Sequence, residues 1–62
     1  MERVPILVDT RGAAELLALS PGTLKNWRSQ GRGPRYVIGP GGLVRYRPAD
    51  LREWAEAAFT YA

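Results

Sequence analysis

The sequence predicts a small α+β domain, mainly α, with three helices and a two-stranded β-hairpin between the second and the third. Two observations indicate this fold. The first is that two helix starts lie close together in the chain, in DTRGAAELLALS and SPGTLKNWRSQG. The second is that the strand-like run RYVIGPGGLVRYR is interrupted by glycines. With 62 residues the chain has room for one domain, so we expect residues 1–62 to form a single unit with a small core.

Composition excludes several classes of protein. The chain is 45% hydrophobic and 24% charged, which is typical of a folded domain. It has no cysteine and no histidine, which excludes disulfides, the usual zinc sites and most nucleophile–base pairs. No apolar run could span a membrane, and the N-terminus MERVPILV is too weakly cationic and apolar for a signal peptide. We therefore expect a cytoplasmic protein with no catalytic residue, metal or cofactor.

The first helix is predicted to begin after Asp9, which is a good N-cap. Ala13, Leu16 and Leu17 follow at helical spacing and predict one apolar stripe. The segment VPILV at residues 4–8 precedes this helix, and its proline favours a short extended lead-in.

The second helix is predicted to begin at Ser20 and Pro21, a typical N-cap followed by proline in the first turn. Only two residues separate it from the apolar stripe of the first helix, so the two helices meet across a tight turn. Ala18 in that turn is tolerable if its φ stays negative. Leu24 and Trp27 share one face of the second helix and are predicted to face the core.

The hairpin is predicted from residues 35–47. On its return strand Val44 and Tyr46 alternate with arginines, so the apolar pair can face the core while the guanidinium groups face out. The outgoing strand has three consecutive apolar residues at 36–38, so alternation leaves open which one is inside. The tip at residues 39–42 is too long for a two-residue turn and is expected to be mobile.

The third helix is predicted in PADLREWAEAAF, with its acidic residues away from the core. Phe59 and Tyr61 follow it, and two interpretations are open for them. They pack against residues 4–8, or they contact another protein or a second copy. The apolar stripe of the helix comprises Leu51, Trp54, Ala55 and Ala58.

Charge is distributed unevenly along the chain. No Asp or Glu lies between Leu16 and Ala49, whereas Lys25, Arg28, Arg32, Arg35, Arg45 and Arg47 all lie there. Such a segment is either a solvated charged face or a source of positive potential that attracts polyanions. An acid-free stretch on a folded scaffold favours the second interpretation.

The order helix, tight turn, helix, hairpin, helix is that of a winged helix-turn-helix. In this fold the second helix enters the major groove of DNA and the hairpin, or wing, extends the contact along the backbone. Donors at the start of that helix can reach base edges, whereas arginines at its end and in the wing suit phosphates or the minor groove. The base-edge group is Thr23, Lys25 and Asn26, and the phosphate group is Arg28, Arg32, Arg45 and Arg47.

Three runs, TRGAAELLALSPGTLKNW, GRGPRYVIG and VRYRPADLREW, resemble the excisionase-type helix-turn-helix domain of phage excisionases and AlpA-like regulators, which is distantly related to the MerR DNA-binding domain. The resemblance covers residues 6–58. It implies a non-catalytic binder of double-stranded DNA. For excisionases it implies a recombination directionality factor that binds near attachment sites as cooperating copies, bends DNA and directs integrase toward excision.

The resemblance also implies the DNA-contacting residues and the cellular context. Such a protein acts at the nucleoid of a bacterial host cell, with DNA and integrase as partners. An AlpA-like transcriptional regulator remains an alternative, as does a protein-interaction module whose basic face binds an acidic partner. The candidate DNA-binding residues are Pro21, Gly22, Thr23, Lys25, Asn26, Arg28 and Ser29 on the recognition helix, and Arg32, Arg35, Gly41, Gly42, Arg45 and Arg47 in the turn and wing.

Overall fold

The computed structural model describes residues 5–62. It is mainly helical, with a two-stranded antiparallel hairpin between the second and third helices, which confirms the predicted winged helix-turn-helix fold. Residues 1–4, which include the first residue of the predicted lead-in and half of the N-terminal segment MERVPILV, lie outside the described part. The elements are α1 (Thr10–Leu17), α2 (Pro21–Ser29), β1 (Val37–Ile38), β2 (Val44–Arg45) and α3 (Pro48–Ala58).

Both predicted N-caps are confirmed. The Asp9 carboxylate accepts a hydrogen bond from the Gly12 N–H at 2.8 Å, at the start of α1. The Ser20 hydroxyl accepts one from the Thr23 N–H at 3.1 Å, at the start of α2, and proline occupies the first turn. Each bond satisfies a backbone donor that the helix itself leaves unpaired.

The turn between α1 and α2 corrects one expectation. Ala18 has φ 57° and ψ 41°, so it is left-handed, and the turn accepts an alanine although its φ is not negative. The reason is the way α1 ends. The N–H of Leu19 reaches back to the carbonyl of Ala14 at 2.9 Å, a closure that needs a left-handed residue just after the helix.

The core lies where the three helices and the return strand meet. Five hydrophobic residues form the buried core, and Val8, Leu17, Trp27 and Val44 pack against them. With so few buried side chains, each contributes a large share of the stability. The buried core residues are Ala13, Ala14, Leu24, Tyr46 and Leu51, and Pro34 is buried as well.

The apolar stripe of α1 differs from the predicted one. Leu16, expected inside, is 60% exposed, while Ala14 is buried. The inward face instead follows the helical spacing from Thr10 through Ala13 and Ala14 to Leu17. The prediction is wrong for Leu16 because it counted apolar residues only and so left out the threonine that begins the stripe.

The wing is joined to the lead-in by backbone pairing. Val37 pairs with Arg45 and Ile38 with Val44, and Val8 forms an antiparallel bridge with Tyr46 through bonds of 2.9 and 2.8 Å. As predicted, Tyr46 is buried and Val44 packs on the core. On the outgoing strand Val37 is half-buried and Ile38 is exposed, which answers the question that alternation left open.

The tip of the wing has local structure. Pro40–Gly42 forms one 3-10 turn, and the Gly39 N–H donates to the Leu43 carbonyl at 2.7 Å, which closes the loop. Gly41 and Gly42 have φ of 74° and 80°. The expected mobility of the tip stays a prediction.

Trp54 brings α3 into contact with α2. The Trp54 ring lies 5.6 Å from that of Trp27, and Phe59 meets Trp54 edge-on at 5.7 Å. Ala58 is exposed and is not part of the inward stripe, contrary to prediction. Tyr61 is fully exposed, so packing against the lead-in is wrong for this residue.

Candidate nucleic-acid interface

The outward face of α2 carries the predicted recognition residues. Leu24 is buried and Trp27 half-buried, so these two residues fix the inward side of the helix. On the remaining surface Thr23 is half-buried, and its hydroxyl lies 2.8 Å from that of Ser20. The exposed members of the predicted set on this helix are Pro21, Gly22, Lys25, Asn26 and Ser29.

Lys25 and Asn26 are available for intermolecular contact. Within residues 5–62 neither side chain has a hydrogen bond or ion pair. Ser29 differs, because its hydroxyl donates to the Asn26 carbonyl at 2.9 Å. An ammonium and a carboxamide side by side on an exposed helix can donate to guanine and pair with adenine in the major groove.

The structure places Arg28 differently from the other predicted cations. It is half-buried, and its Nη1 donates to the Thr10 hydroxyl at 3.0 Å and to the Tyr46 hydroxyl at 3.2 Å. Its guanidinium carbon also lies 5.8 Å from the centroid of the Tyr36 ring. Arg28 was predicted to contact phosphate, and one nitrogen of its guanidinium group is hydrogen-bonded within the domain. Contact of Arg28 with DNA stays a prediction.

Three arginines line one depression at the end of α2 and in the segment that follows it. Arg28, Arg32 and Arg35 line a depression of about 330 Å³ together with Tyr36 and residues 31, 33 and 34. Arg32 and Arg35 are exposed, and Arg32 also lies over the Trp27 ring at 5.6 Å. The depression is a concentration of positive charge at the end of the recognition helix, where a phosphate group would be attracted.

The wing arginines have unequal freedom. Arg45 is half-buried and its Nη1 donates to the Val44 carbonyl at 2.7 Å. Arg47 is exposed, with its Nε 3.4 Å from the Asp50 carboxylate, a surface pair of small energy. The tip glycines at 41 and 42 are exposed, and a Cβ atom at either position would meet nothing within 4 Å. Arg28 lies beside Tyr46, the residue between the two wing arginines, so α2 adjoins the return strand.

Sequence reasoning missed the polar residues that join α2 to its neighbours. Thr10, Tyr36 and Tyr46 surround Arg28, and none was assigned a functional part. A signal was present for Tyr46, since a tyrosine predicted to face the core needs a hydrogen-bond partner for its hydroxyl. For Thr10 the helical spacing with Ala13 and Leu17 was the only sign.

Among residues 5–62 no group of three or more His, Cys, Asp and Glu side chains could hold a metal ion. In the same part of the chain, no helix combines the length and the apolar character that crossing a membrane requires.

The order of the helices and the hairpin defines a winged helix-turn-helix protein. A model of a helix-turn-helix domain family matches residues 7–58, and the chain belongs to this family of excisionase- and AlpA-like small DNA-binding proteins. Such domains are typically non-enzymatic. A search of curated proteins finds no match for the chain.

Proposed function

We propose that this protein binds double-stranded DNA sequence-specifically as an architectural factor of the excisionase kind. It binds and bends attachment-site DNA and directs integrase toward excision. The observation that carries the proposal is the exposed Lys25–Asn26 edge of α2, whose two side chains have no partner within residues 5–62. The family to which the chain belongs, one of DNA-binding proteins, supports the same proposal. The same proposal locates the protein at the bacterial nucleoid, in the cytoplasm, where its DNA would be.

The proposed mode of binding inserts α2 into the major groove. Lys25 and Asn26 read base edges, while the arginines that follow α2 and those of the wing contact phosphates or the minor groove. With about five phosphates neutralised, the logarithm of the association constant falls with the logarithm of salt concentration at a slope of roughly −4 to −5. The glycines of the tip allow the backbone to approach the phosphates closely.

Titration of DNA fragments from the host element with the protein tests duplex binding. Replacing both Lys25 and Asn26 with alanine is expected to weaken specific binding about 30-fold or more, because each good base contact is worth roughly 1–3 kcal/mol. Arg52→Ala is the matched control. It removes one exposed positive charge from α3, on a surface shared with Pro48 and Glu53, and should change specific affinity little.

Absence of duplex binding even at low salt would contradict the proposal. It would instead favour a protein-interaction module that binds an acidic partner through the basic face. Equal losses in the alanine pair and in Arg52→Ala would show that only net charge is sensed.

A transcriptional regulator of the AlpA kind is the second candidate, because the family includes both kinds of protein. Gel shifts with circularly permuted fragments, together with an excision assay containing the cognate integrase, separate the two. The excisionase proposal expects bending and stimulated excision. Strong control of a promoter with no effect on excision would favour the regulator.

Contacts with other proteins are a further part of the proposal. Phe59 is 57% exposed and Tyr61 fully exposed beside α3, which supports a contact with integrase or with a neighbouring copy on DNA. We expect the protein to bind adjacent sites cooperatively. Changing both aromatic residues to serine should abolish this cooperativity and leave the affinity for a single site unchanged.

A further inference from the structure

Arg28 occupies the junction of the recognition helix, α1 and the wing. Its Nη1 donates to Thr10, the first residue of α1, and to Tyr46, the residue that follows β2. Its guanidinium group also lies against the ring of Tyr36, just before β1. One side chain of α2 thus contacts both other parts of the DNA-binding unit.

The two tyrosines mark the base of the wing. Since Val37 pairs with Arg45, Tyr36 and Tyr46 stand opposite each other at the open end of the hairpin, with ring centroids 6.1 Å apart. Tyr46 is 1% exposed, and its backbone is bridged to Val8. The strands beyond this point have only two residues each, so the direction of the wing depends on how its base is held.

We propose that Arg28 is a positioning residue that sets the wing relative to the recognition helix, so that α2 and the wing engage one duplex together. The inference rests on the proposed DNA-binding function and assigns Arg28 a part other than a phosphate ligand. A planar guanidinium suits this position because one nitrogen serves two hydroxyl groups while the plane lies over an aromatic ring.

The partners of Arg28 also preserve its charge. Thr10, Tyr46 and Tyr36 are neutral, whereas Arg47 in the wing is paired with the carboxylate of Asp50. A carboxylate at the base of the wing would have held an arginine equally well but would have cancelled its charge. Hydroxyl partners fix the side chain and leave the positive potential that draws DNA.

The test removes the partners of Arg28 and leaves its charge in place. In Thr10→Val/Tyr46→Phe both hydroxyl groups are lost and the shapes of the side chains are nearly kept. If Arg28 sets the wing, duplex affinity is expected to fall about tenfold. The salt dependence should also become shallower, with the magnitude of the slope reduced by roughly 0.9, the value for one lost phosphate contact. If Arg28 binds phosphate itself, the released side chain leaves affinity and slope unchanged or raises them, which would overturn the inference.

A double-mutant cycle with the wing arginine provides the second readout. Arg45→Ala is expected to weaken binding about fivefold in the wild type and less than about twofold in the Thr10→Val/Tyr46→Phe background, because a displaced wing no longer uses its arginine. Equal effects of Arg45→Ala in both backgrounds would contradict a positioning role. A loss of stability alone does not produce this dependence when all variants are titrated well below their melting temperatures.

Thr60→Val is the matched control, since it makes the same change as Thr10→Val at an exposed threonine after α3, on a part of the surface shared with Ala55 and Glu56 and not with Arg28. It is expected to bind DNA as the wild type does. If the wild type itself fails to bind duplex DNA, the proposed function fails. If the wild type binds and the double variant binds equally well, only the positioning role of Arg28 fails.

Discussion

The two turns that flank the recognition helix adopt the same kind of backbone with different residues. The turn before α2 has Ala18 at φ 57°, and the turn after it has Gly31 at φ 74° and Gly33 at φ 90°. Glycine visits this region freely, whereas a residue with a Cβ atom pays roughly 1–2 kcal/mol. The first turn therefore carries backbone strain that the second avoids.

The neighbours of each turn explain the difference. Ser20 follows Ala18 closely, and its hydroxyl caps α2 through the Thr23 N–H. In the second turn a Cβ on Gly33 would lie 3.1 Å from the Cβ of Trp27 and 3.4 Å from its ring. The first turn is thus held by hydrogen bonds and tolerates a side chain, while the second packs on an aromatic residue at Gly33 and leaves little room for one there.

Gly33→Ala is expected to have the largest effect on stability. It adds left-handed strain and pushes on Trp27, whose ring contacts Trp54 of α3, so the free energy of unfolding should fall by about 2–3 kcal/mol. Urea unfolding followed by tryptophan fluorescence measures this. A loss of about 0.5 kcal/mol or less would show that Trp27 moves aside at little cost, and the proposed contrast between the turns would be wrong.

Ser20→Ala tests the first turn. Loss of the N-cap leaves the Thr23 N–H without its acceptor, and a decrease of about 1 kcal/mol in the free energy of unfolding is expected. Ser29→Ala is the matched control, because it removes a hydroxyl bonded to the Asn26 carbonyl in the last turn of the same helix. Its effect should stay within about 0.5 kcal/mol in the same urea titration. Equal losses would contradict a special role for the cap.

How much of the fold the sequence predicts depends on the range of the interactions. Both helix starts were predictable because a capping bond joins residues only three positions apart. Alternation on the return strand likewise predicts the inward side chain of Tyr46. The face of α1 was misjudged at Leu16 because Thr10 is half-buried and bonded to a residue 18 positions away, which no local pattern shows.

The candidate site divides in the same way. Exposure of Lys25 and Asn26 follows from their place opposite Leu24 on a helix, so the sequence was enough to select them. The contacts of Arg28 could not be predicted, since Thr10 and Tyr46 lie 18 residues away on either side of it. Charge and helix position alone suggest a phosphate ligand, and only the packing of α1 and the wing shows what surrounds the guanidinium.

The smallest effects are expected from exchanging alanine and glycine between the two turns. Ala18→Gly relieves left-handed strain but loosens the unfolded chain, for a net gain of about 0.5–1 kcal/mol. Gly31→Ala should lose about the same amount, because its surroundings are open and only strain is added. The variant with both changes should then unfold at nearly the urea concentration of the wild type, since the two sites flank α2 and share no contact. If Ala18→Gly destabilises the domain, the turn before α2 stores less strain than its backbone angles indicate, and the two turns differ in packing alone.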